Sequence, residues 1–553
     1  MRLTLSRTLP LLLTSMLVAC DRGPGASDEK GGTLFIASAG EPDFIFPPLA
    51  QTQAGRTISD LVFERLAEIG DSLNTVGTVG FTPRLARSWQ WAPDSLSIAF
   101  SLDPNARWHD GRPVRANDVR FSFDLTRDPK VGSPNAELVA NVDSVQVRDS
   151  LTAVVWYKRR TPEQFFEFVY QIPIAPEHVY GAIPRDGLRT AEVLRQPVGS
   201  GQFRFVGWLP QQRIELAADT THYRGRPRLQ GVTYVFSQDF DVSFNRLLRN
   251  EADFLEIVPP AQITRVSAES TLRLVRYPGL QTSFLVFNFR DPKRSGAAHP
   301  VLGDRAVRLA LSAAVDRDAL LRNVFDTLGT LAIGPMPRAH PAADPSLRIP
   351  AFDRARAAQL LDSAGWRLGA DGVRTRNGRP LAFSILVPSS SAPRMSYSVL
   401  LQQQFRAIGA RVEIEQMDFP TLMQRLGRGN FDAVLQSVGF DPSASTLRQY
   451  WGGSAAGNGG GNIGSYVNPA FDAALDSALV ASDPATLRRG VLHATQLLAD
   501  DAPAIWLYDV LTLGARTTRV QPAKLRADGW WAGLHAWFIP ESERPAADDV
   551  AAR

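Results

Sequence analysis

The 553-residue chain contains a single cysteine, Cys20, so it can form no internal disulfide and no Cys-rich zinc or iron–sulfur site. Only five of its 60 basic residues are lysine, and the basic residues are spread among 56 acidic ones rather than clustered. That pattern leaves no electrostatic footprint for nucleic acid. After the N-terminal segment no stretch offers eighteen uninterrupted apolar residues, which argues against a membrane-spanning helix there. No Walker A sequence occurs, and Gly199-Ser200-Gly201 does not continue into a dinucleotide fingerprint. The seven histidines, His109, His178, His222, His299, His340, His493 and His535, include no His-x-x-x-His or His-Glu-x-x-His pair. No metal, nucleotide or other cofactor is therefore expected. What is present is core-forming material: 44% hydrophobic residues, in a length that suggests three or four domain-sized pieces.

At the N-terminus Arg2 and Arg7 precede an apolar run from Leu9 to Val18, too short to cross a bilayer of ~30 Å. It reads as a signal peptide. Leu17-Val18-Ala19-Cys20 resembles a bacterial lipobox, which implies a signal peptide over 1–19, cleavage before Cys20 and a diacylglyceryl group on the Cys20 thiol. The alternative is an ordinary secretory signal with an incidental cysteine. Loss of Arg2 and Arg7 takes the formal charge from +4 to +2. Asp21 to Gly32 carries almost no apolar surface, so residues 20–32 are expected to form a flexible lipidated tether. Its twelve residues after the cysteine reach at most ~43 Å. The mature protein is expected outside the cytoplasm, in the periplasmic space, held at a bacterial membrane.

Two periodicities alternate along the rest of the chain. Leu96, Ile98, Phe100 and Leu102 fall on one face of a strand, and Val145 and Val147 lead through Asp149 and Ser150 to Val154 and Trp156 as a hairpin. Phe203 and Phe205 pair with Ile214 and Leu216 across a turn. Later, Val307, Leu311, Ala314 and Val315 mark a helical face, and Asp353 caps a helix that carries Leu360 and Leu361 to a stop at Gly365. Leu401, Phe405 and Ile408 repeat at helical spacing before Gly409, after which Val412 and Ile414 alternate as a strand. Helix, glycine, strand is the pattern of an α/β protein.

Several collinear segments then carry a family resemblance. They are Leu85-Ala86-Arg87-Ser88-Trp89, Ala106 to Val114 with Asn117-Asp118-Val119, and Ile174 to His178. Pro197 to Phe205, His222 to Pro227, Arg308 to Arg317, Ala364-Gly365-Trp366 and Tyr466 to Pro469 continue the series. Together they resemble the extracytoplasmic solute-binding proteins of peptide and nickel ABC importers (family 5). The resemblance implies an α/β, two-lobed periplasmic-binding-protein fold (type II, cluster C-like) with an extra subdomain in the first lobe. Mapped onto this chain, it places first-lobe segments at 33–69 and 196–282, an inserted subdomain at 70–195, a second lobe at 283–511, a return to the first lobe at 512–545 and a disordered tail at 546–553. It further implies a monomer that captures oligopeptides or dipeptides and delivers them to ABC permease subunits in the membrane, with no catalysis. A nickel chelate, a sugar or an opine is the alternative solute.

The same resemblance nominates ligand-binding residues. Glu41, in Glu41-Pro42-Asp43 after the first strand, matches the entry to the family's cleft, or it is a solvated turn carboxylate. Phe431 to Pro442 resembles the strand and loop whose backbone binds an extended peptide, which places Ser437, Gly439, Phe440 and Asp441 at the ligand. There an aspartate pairs with the ligand's α-ammonium. The family usually has a second acid before Asp-Pro, and only Asp441-Pro442 stands here, so Asp441 is either the ammonium partner or the turn residue. Trp451, Trp530 and Trp531 are candidate apolar walls, and the glycines from Gly452 to Gly461 a mobile rim. A hydrolase is the competing class: Gly70-Asp71-Ser72-Leu73 resembles the nucleophile block of the GDSL hydrolases, with His222 as base and Asp219 as its orienter.

Overall fold

The structure is a computed structural model that describes residues 31–237, 239–259, 262–325, 329–457, 461–523 and 525–544. Cys20, the tether up to residue 30, the tail 546–553 and part of the glycine stretch (458–460) lie outside the described residues. Gly31 and Gly32 are already part of the fold rather than of a tether. The Gly31 N–H donates to the Arg228 carbonyl at 2.8 Å, and Gly31 is buried.

The first strand, β1 (Thr33–Ser38), is buried over its last five residues and reads as a continuous apolar run because both of its edges are paired inside a sheet. Helix α1 (Gln53–Val62) follows, started by Thr52, whose hydroxyl accepts the Gly55 N–H at 3.1 Å. Four antiparallel strands, β2 (Ala86–Trp91), β3 (Ser97–Leu102), β4 (Val142–Asp149) and β5 (Thr152–Tyr157), form a separate small sheet in the order β2-β3-β5-β4. Ile98, Phe100 and Leu102 of β3 face its core as their alternation predicts, and the predicted hairpin pairs Val145 with Val155 and Val147 with Ala153. Helix α2 (Gln164–Val169) packs Phe165 and Phe168 against that sheet's Phe100.

The chain then returns to the large sheet through β6 (Phe203–Leu209), β7 (Arg213–Ala218), β8 (Gly231–Phe236) and the short β9 (Phe254–Leu255). Phe205 pairs with Leu216, as expected, so the antiparallel register sets Phe203 against Ala218, and a register shift between Phe205 and Gly207 sets Ile214 against Trp208. β10 (Leu272–Phe287) is sixteen residues long and carries the chain into the second lobe. That lobe holds β11 (Ala382–Pro388), α3 (Ala392–Arg406), β12 (Arg411–Met417), β13 (Ala433–Gly439) and α4 (Thr446–Trp451). β14 (Ala504–Thr517), fourteen residues long, runs back antiparallel to β10. The resulting eleven-stranded sheet has the order β12-β11-β13-β10-β14-β9-β1-β8-β7-β6, with Thr330–Leu331 added against β14. The expected lobe boundaries at 282/283 and 511/512 fall inside β10 and β14, two continuous strands.

Local chemistry sets several of these boundaries. Asp353 accepts the Arg356 N–H at 2.8 Å and starts the helix Arg354–Ser363, and Gly365 ends it at φ +83°. Gly199 is required for a different reason: a Cβ there would lie 1.9 Å from the Val62 carbonyl oxygen at the end of α1.

Three large apolar cores result, beside a smaller one around Phe244, Val266 and Leu513. One, around Leu34, Ile36, Val232, Phe254 and Trp537, fills the first lobe. Another, around Leu311, Trp366, Ile385 and Phe405, fills the second. The third starts in the small sheet at Phe100, Trp108 and Phe165 and runs on through Phe284 to Trp451 and Trp506, so the subdomain is packed against second-lobe residues as well. The return segment is fixed by a buried ion pair: Asp253, fully buried, accepts from Arg519 Nε at 2.5 Å and from the Phe35 N–H at 3.0 Å.

Candidate functional site

Between the two halves of the large sheet lies a cleft of about 1290 Å³. Its walls come from β1 and α1, from Asn135 and Gln171 of the subdomain, from β13 and the loop after it, and from the return segment around Trp530.

β13 brings Ser437, Gly439 and Phe440 to this cleft. β10 pairs with β13 along its whole length, but β11 pairs on the other side only with Ala433 and Val434. From Leu435 to Gly439 that second edge has no strand partner among the described residues. Ser437 Oγ shares a hydrogen bond with Ser283 Oγ, the Tyr450 hydroxyl donates to the Gly439 carbonyl at 3.0 Å, and the Phe440 N–H donates to the Leu280 carbonyl at 2.7 Å. These bonds hold the end of β13 rigid and aim the next residue, Asp441, into the cleft.

Asp441 is half-buried, and its Oδ2 accepts the Gln171 side-chain amide at 3.3 Å. Burial pushes its carboxyl above the ordinary aspartate value; the Gln171 hydrogen bond and the charge of Arg56 oppose the rise, and the charge of Asp528 adds to it. Among the described residues no basic side chain forms an ion pair with it, and Arg56, exposed on α1, acts only through its field.

Four acids of the first-lobe wall are paired with arginines. Asp60 pairs with Arg65 at 2.9 Å, Glu64 with Arg224, and Glu68 with Arg526 at 2.5 Å and with Arg84 at 3.9 Å. Arg526 also pairs with Asp528 at 2.5 Å. Four carboxylates thus face four guanidinium groups, whereas Asp441, like Glu256 with its Ser38 and Trp530 bonds, has only neutral donors.

Glu41 lines the cleft, but one of its oxygens is committed to the fold. Oε1 accepts Trp208 Nε1 at 2.7 Å and the Gln211 N–H at 3.0 Å, which ties the turn between β6 and β7. Trp530 and Trp531 line the cleft as expected; Trp531 Nε1 donates to Asp60 Oδ2 at 3.0 Å. Trp451 does not belong to the wall. It is 2% exposed, with its ring 5.3 Å from Phe284 and 5.1 Å from Trp506, because α4 turns it inward to fill the core beneath β10. The expected mobile rim after it is anchored at its start, where the Gly453 N–H donates to Asp472 Oδ1 at 3.0 Å.

The hydrolase triad is not assembled. His222 Nδ1 accepts the Arg224 N–H at 3.2 Å, and its Nε2 lies 3.1 Å from the Ser200 carbonyl and 3.5 Å from Glu64. Asp219 Oδ1 is engaged by the Thr221 N–H and hydroxyl at 3.0 and 2.8 Å. Nδ1 serves the local turn and Nε2 lies against the Ser200 carbonyl, so neither is left for Ser72, which is exposed on a loop.

Gln171, Arg56 and the Arg526–Asp528 pair line the cleft wall and were not found by the sequence reading. No local pattern marks them, since each reaches the cleft from a segment distant in sequence.

A cleft walled by two sheet-and-helix lobes, with two long strands running through both, defines a two-lobed periplasmic binding protein. The chain belongs to the bacterial extracellular solute-binding proteins, family 5, whose middle-region model matches residues 80–459. This is a family of substrate-binding components of ABC transporters. The chain is 28% identical over 491 residues to Protein XP55 of Streptomyces lividans, covering 86% of this chain and 85% of that one. To the oligopeptide-binding protein AppA of Bacillus subtilis it is 23% identical over 484 residues, 87% and 86% of the two chains. The solved structure of AppA in complex with a nonapeptide superposes with a TM-score of 0.75 at 22% identity, over 92% of this chain and 99% of that one. The structure of NikZ from Campylobacter jejuni with Ni(L-His) gives the same TM-score, 0.75, the same identity, 22%, and the same coverage, 92% and 99%. No described helix is long and apolar enough to cross a membrane.

Proposed function

We infer that this protein is the receptor of an ABC importer for peptides with a free N-terminal amine, and that it binds them in the interlobe cleft without altering them. The observation that carries this reading is Asp441, an acid without a paired cation at the end of a half-open strand edge. An extended peptide can lay its main chain along Leu435–Gly439 by strand addition, and its first ammonium then reaches the Asp441 carboxylate. A charge-assisted bond of this kind contributes ~1.5–3 kcal/mol. The size of the cleft and its Trp530 and Trp531 walls suit varied side chains. AppA's complex with a nonapeptide supports a peptide as the solute, whereas NikZ's complex with Ni(L-His) marks the main alternative.

In this reading residues 33–69, 196–282 and 512–545 move as one lobe, 283–511 as the other, and 70–195 as the inserted subdomain. Solute that touches both walls stabilises the closed form through contacts the open form lacks. Lipidation at Cys20 would hold the monomer at the extracytoplasmic membrane face, near the permease subunits that take up the solute. Native mass spectrometry of the purified protein tests the reading. Peptides with free N-termini are expected among the co-purifying molecules, and a metal chelate or sugar bound in their place would overturn it.

A further inference from the structure

One buried acid lies outside the ligand site. Glu163, the residue before α2 in the subdomain, is 6% exposed. Its Oε1 accepts the Thr75 hydroxyl at 2.5 Å, from its own subdomain. Its Oε2 accepts the Ser443 hydroxyl at 2.5 Å, from a second-lobe loop 280 positions away. Ser443 is itself 4% exposed, and its Oγ also accepts the Ser445 N–H at 3.1 Å, so the loop of Asp441, Pro442 and Ser443 is pinned at this point. Gln171 and Asp441 make a second bond across the same boundary.

We propose that Glu163 is a positioning residue that latches the subdomain onto the Asp441 loop, and that this latch closes with uptake of a proton. When the lobes part, Ser443 withdraws and Glu163 meets water. When they close, the carboxyl is enclosed between two hydroxyl donors with no basic side chain of the described residues paired to it. The charged groups facing it are themselves acids. Asp441 faces it from the second lobe, and Glu167 stands one turn along α2. His340, whose ring is 6.0 Å from Phe440, belongs to the second-lobe side and is kept neutral by burial, so it supplies no compensating charge there. Enclosure therefore favours the protonated acid, in agreement with the upward direction of the Glu163 pKa, caused first by burial. A protonated Glu163 can donate to one hydroxyl and accept from the other, which keeps the contact satisfied.

The sign follows. The closed form holds Glu163 with a pKa above its ordinary 4.5, so closure is strongest below that value and weakens as pH rises through the raised one. The closed-to-open ratio falls by up to about tenfold for each unit by which closure raises the pKa. The inference uses the two-lobed receptor reading only for its hinge, since no solute takes part in the contact.

Small-angle scattering of the ligand-free full chain, from about pH 5 to about pH 8, tests it. The wild-type radius of gyration should rise with pH, Glu163→Gln should keep the compact value throughout, and Glu163→Ala should be expanded at both ends. Ser443→Ala, which removes the donor from the opposite side, should reproduce Glu163→Ala, and circular dichroism verifies that each variant is folded. A wild-type radius indifferent to pH, or Glu163→Gln following the wild-type curve, overturns the latch. Because the readout needs no solute, failure to find a bound peptide would sink the receptor reading and leave this result intact. A peptide binder whose lobes ignore Glu163 would do the reverse.

Discussion

Gln171 of the subdomain and Asp441 of the second lobe, 270 positions apart in the chain, meet through an amide-to-carboxylate hydrogen bond of 3.3 Å on the wall of the cleft. The bond is neutral-to-acid and lies at the long end of the useful range, so it orients the carboxylate without neutralising it. Asp441→Asn should thus weaken a free-amine peptide by about ten- to a hundredfold, from the loss of ~1.5–3 kcal/mol, and its N-acetylated form much less. Isothermal titration with both peptides measures the difference. Equal loss for the two would remove Asp441 from the amine site.

Trp451 and Trp531 should separate stability from binding. Trp451 fills the core beside Phe284 and Trp506, so Trp451→Ala should cost about 3–5 kcal/mol of stability. Trp531 lines the cleft, and Trp531→Phe, which deletes the donor to Asp60 but keeps an aromatic wall, should change melting temperature little and solute affinity more. Denaturant melts and titrations on both variants decide this; a ligand-affinity loss confined to Trp451→Ala would reverse the assignment.

The return of the chain to the first lobe depends on Arg519 and Asp253, at 8% and 0% side-chain exposure. Removing one partner of a buried pair strands the other charge, at about 3–5 kcal/mol. Arg519→Met should therefore destabilise the protein markedly, while Arg519→Met combined with Asp253→Asn should recover much of the loss. Limited proteolysis should show early cleavage after residue 517 in the single variant, and its absence there would argue that the segment is held by its apolar contacts alone.

Stability should also depend on pH through Glu167, whose carboxyl is raised from 4.5 to about 7, first by burial and then by Glu163. The folded chain holds this proton over a range where the unfolded chain has lost it, so the contribution weakens stability as pH climbs from about 4.5 to about 7. Asp509, raised by burial to about 6, acts in the same sense. His340 and His535, both lowered to about 4, act oppositely below pH 6.5. The clean measurement is a difference: Glu167→Gln minus wild type in melting temperature should grow across that window and level off above it. A constant difference would mean that Glu167 keeps an ordinary pKa.

Much of the local structure was legible because it rests on short-range rules. Alternating Ile98, Phe100 and Leu102 produce a strand with one buried face, and Asp353 and Gly365 bound a helix by a side-chain cap and a positive φ. The partner of Ile214 was missed because the bulge between Phe205 and Gly207 depends on how β7 lies beside it. Trp451 was misplaced for a related reason. Sequence gives the spacing of a tryptophan in a helix, but which side of that helix faces the cleft is set by the packing of β10 and Trp506.

By itself the chain determined its α/β grammar, its lack of any metal or nucleotide signature, and the ordered series of segments that marks its family. Each of these depends on residue type and neighbour spacing. Tertiary structure alone decided that Glu41 is bound into a turn, that His222 is spent on its own loop, and that Glu163, Gln171, Asp441 and Ser443 converge. Convergence across hundreds of residues is fixed by strands that run through both lobes, and no local preference encodes where their far ends meet.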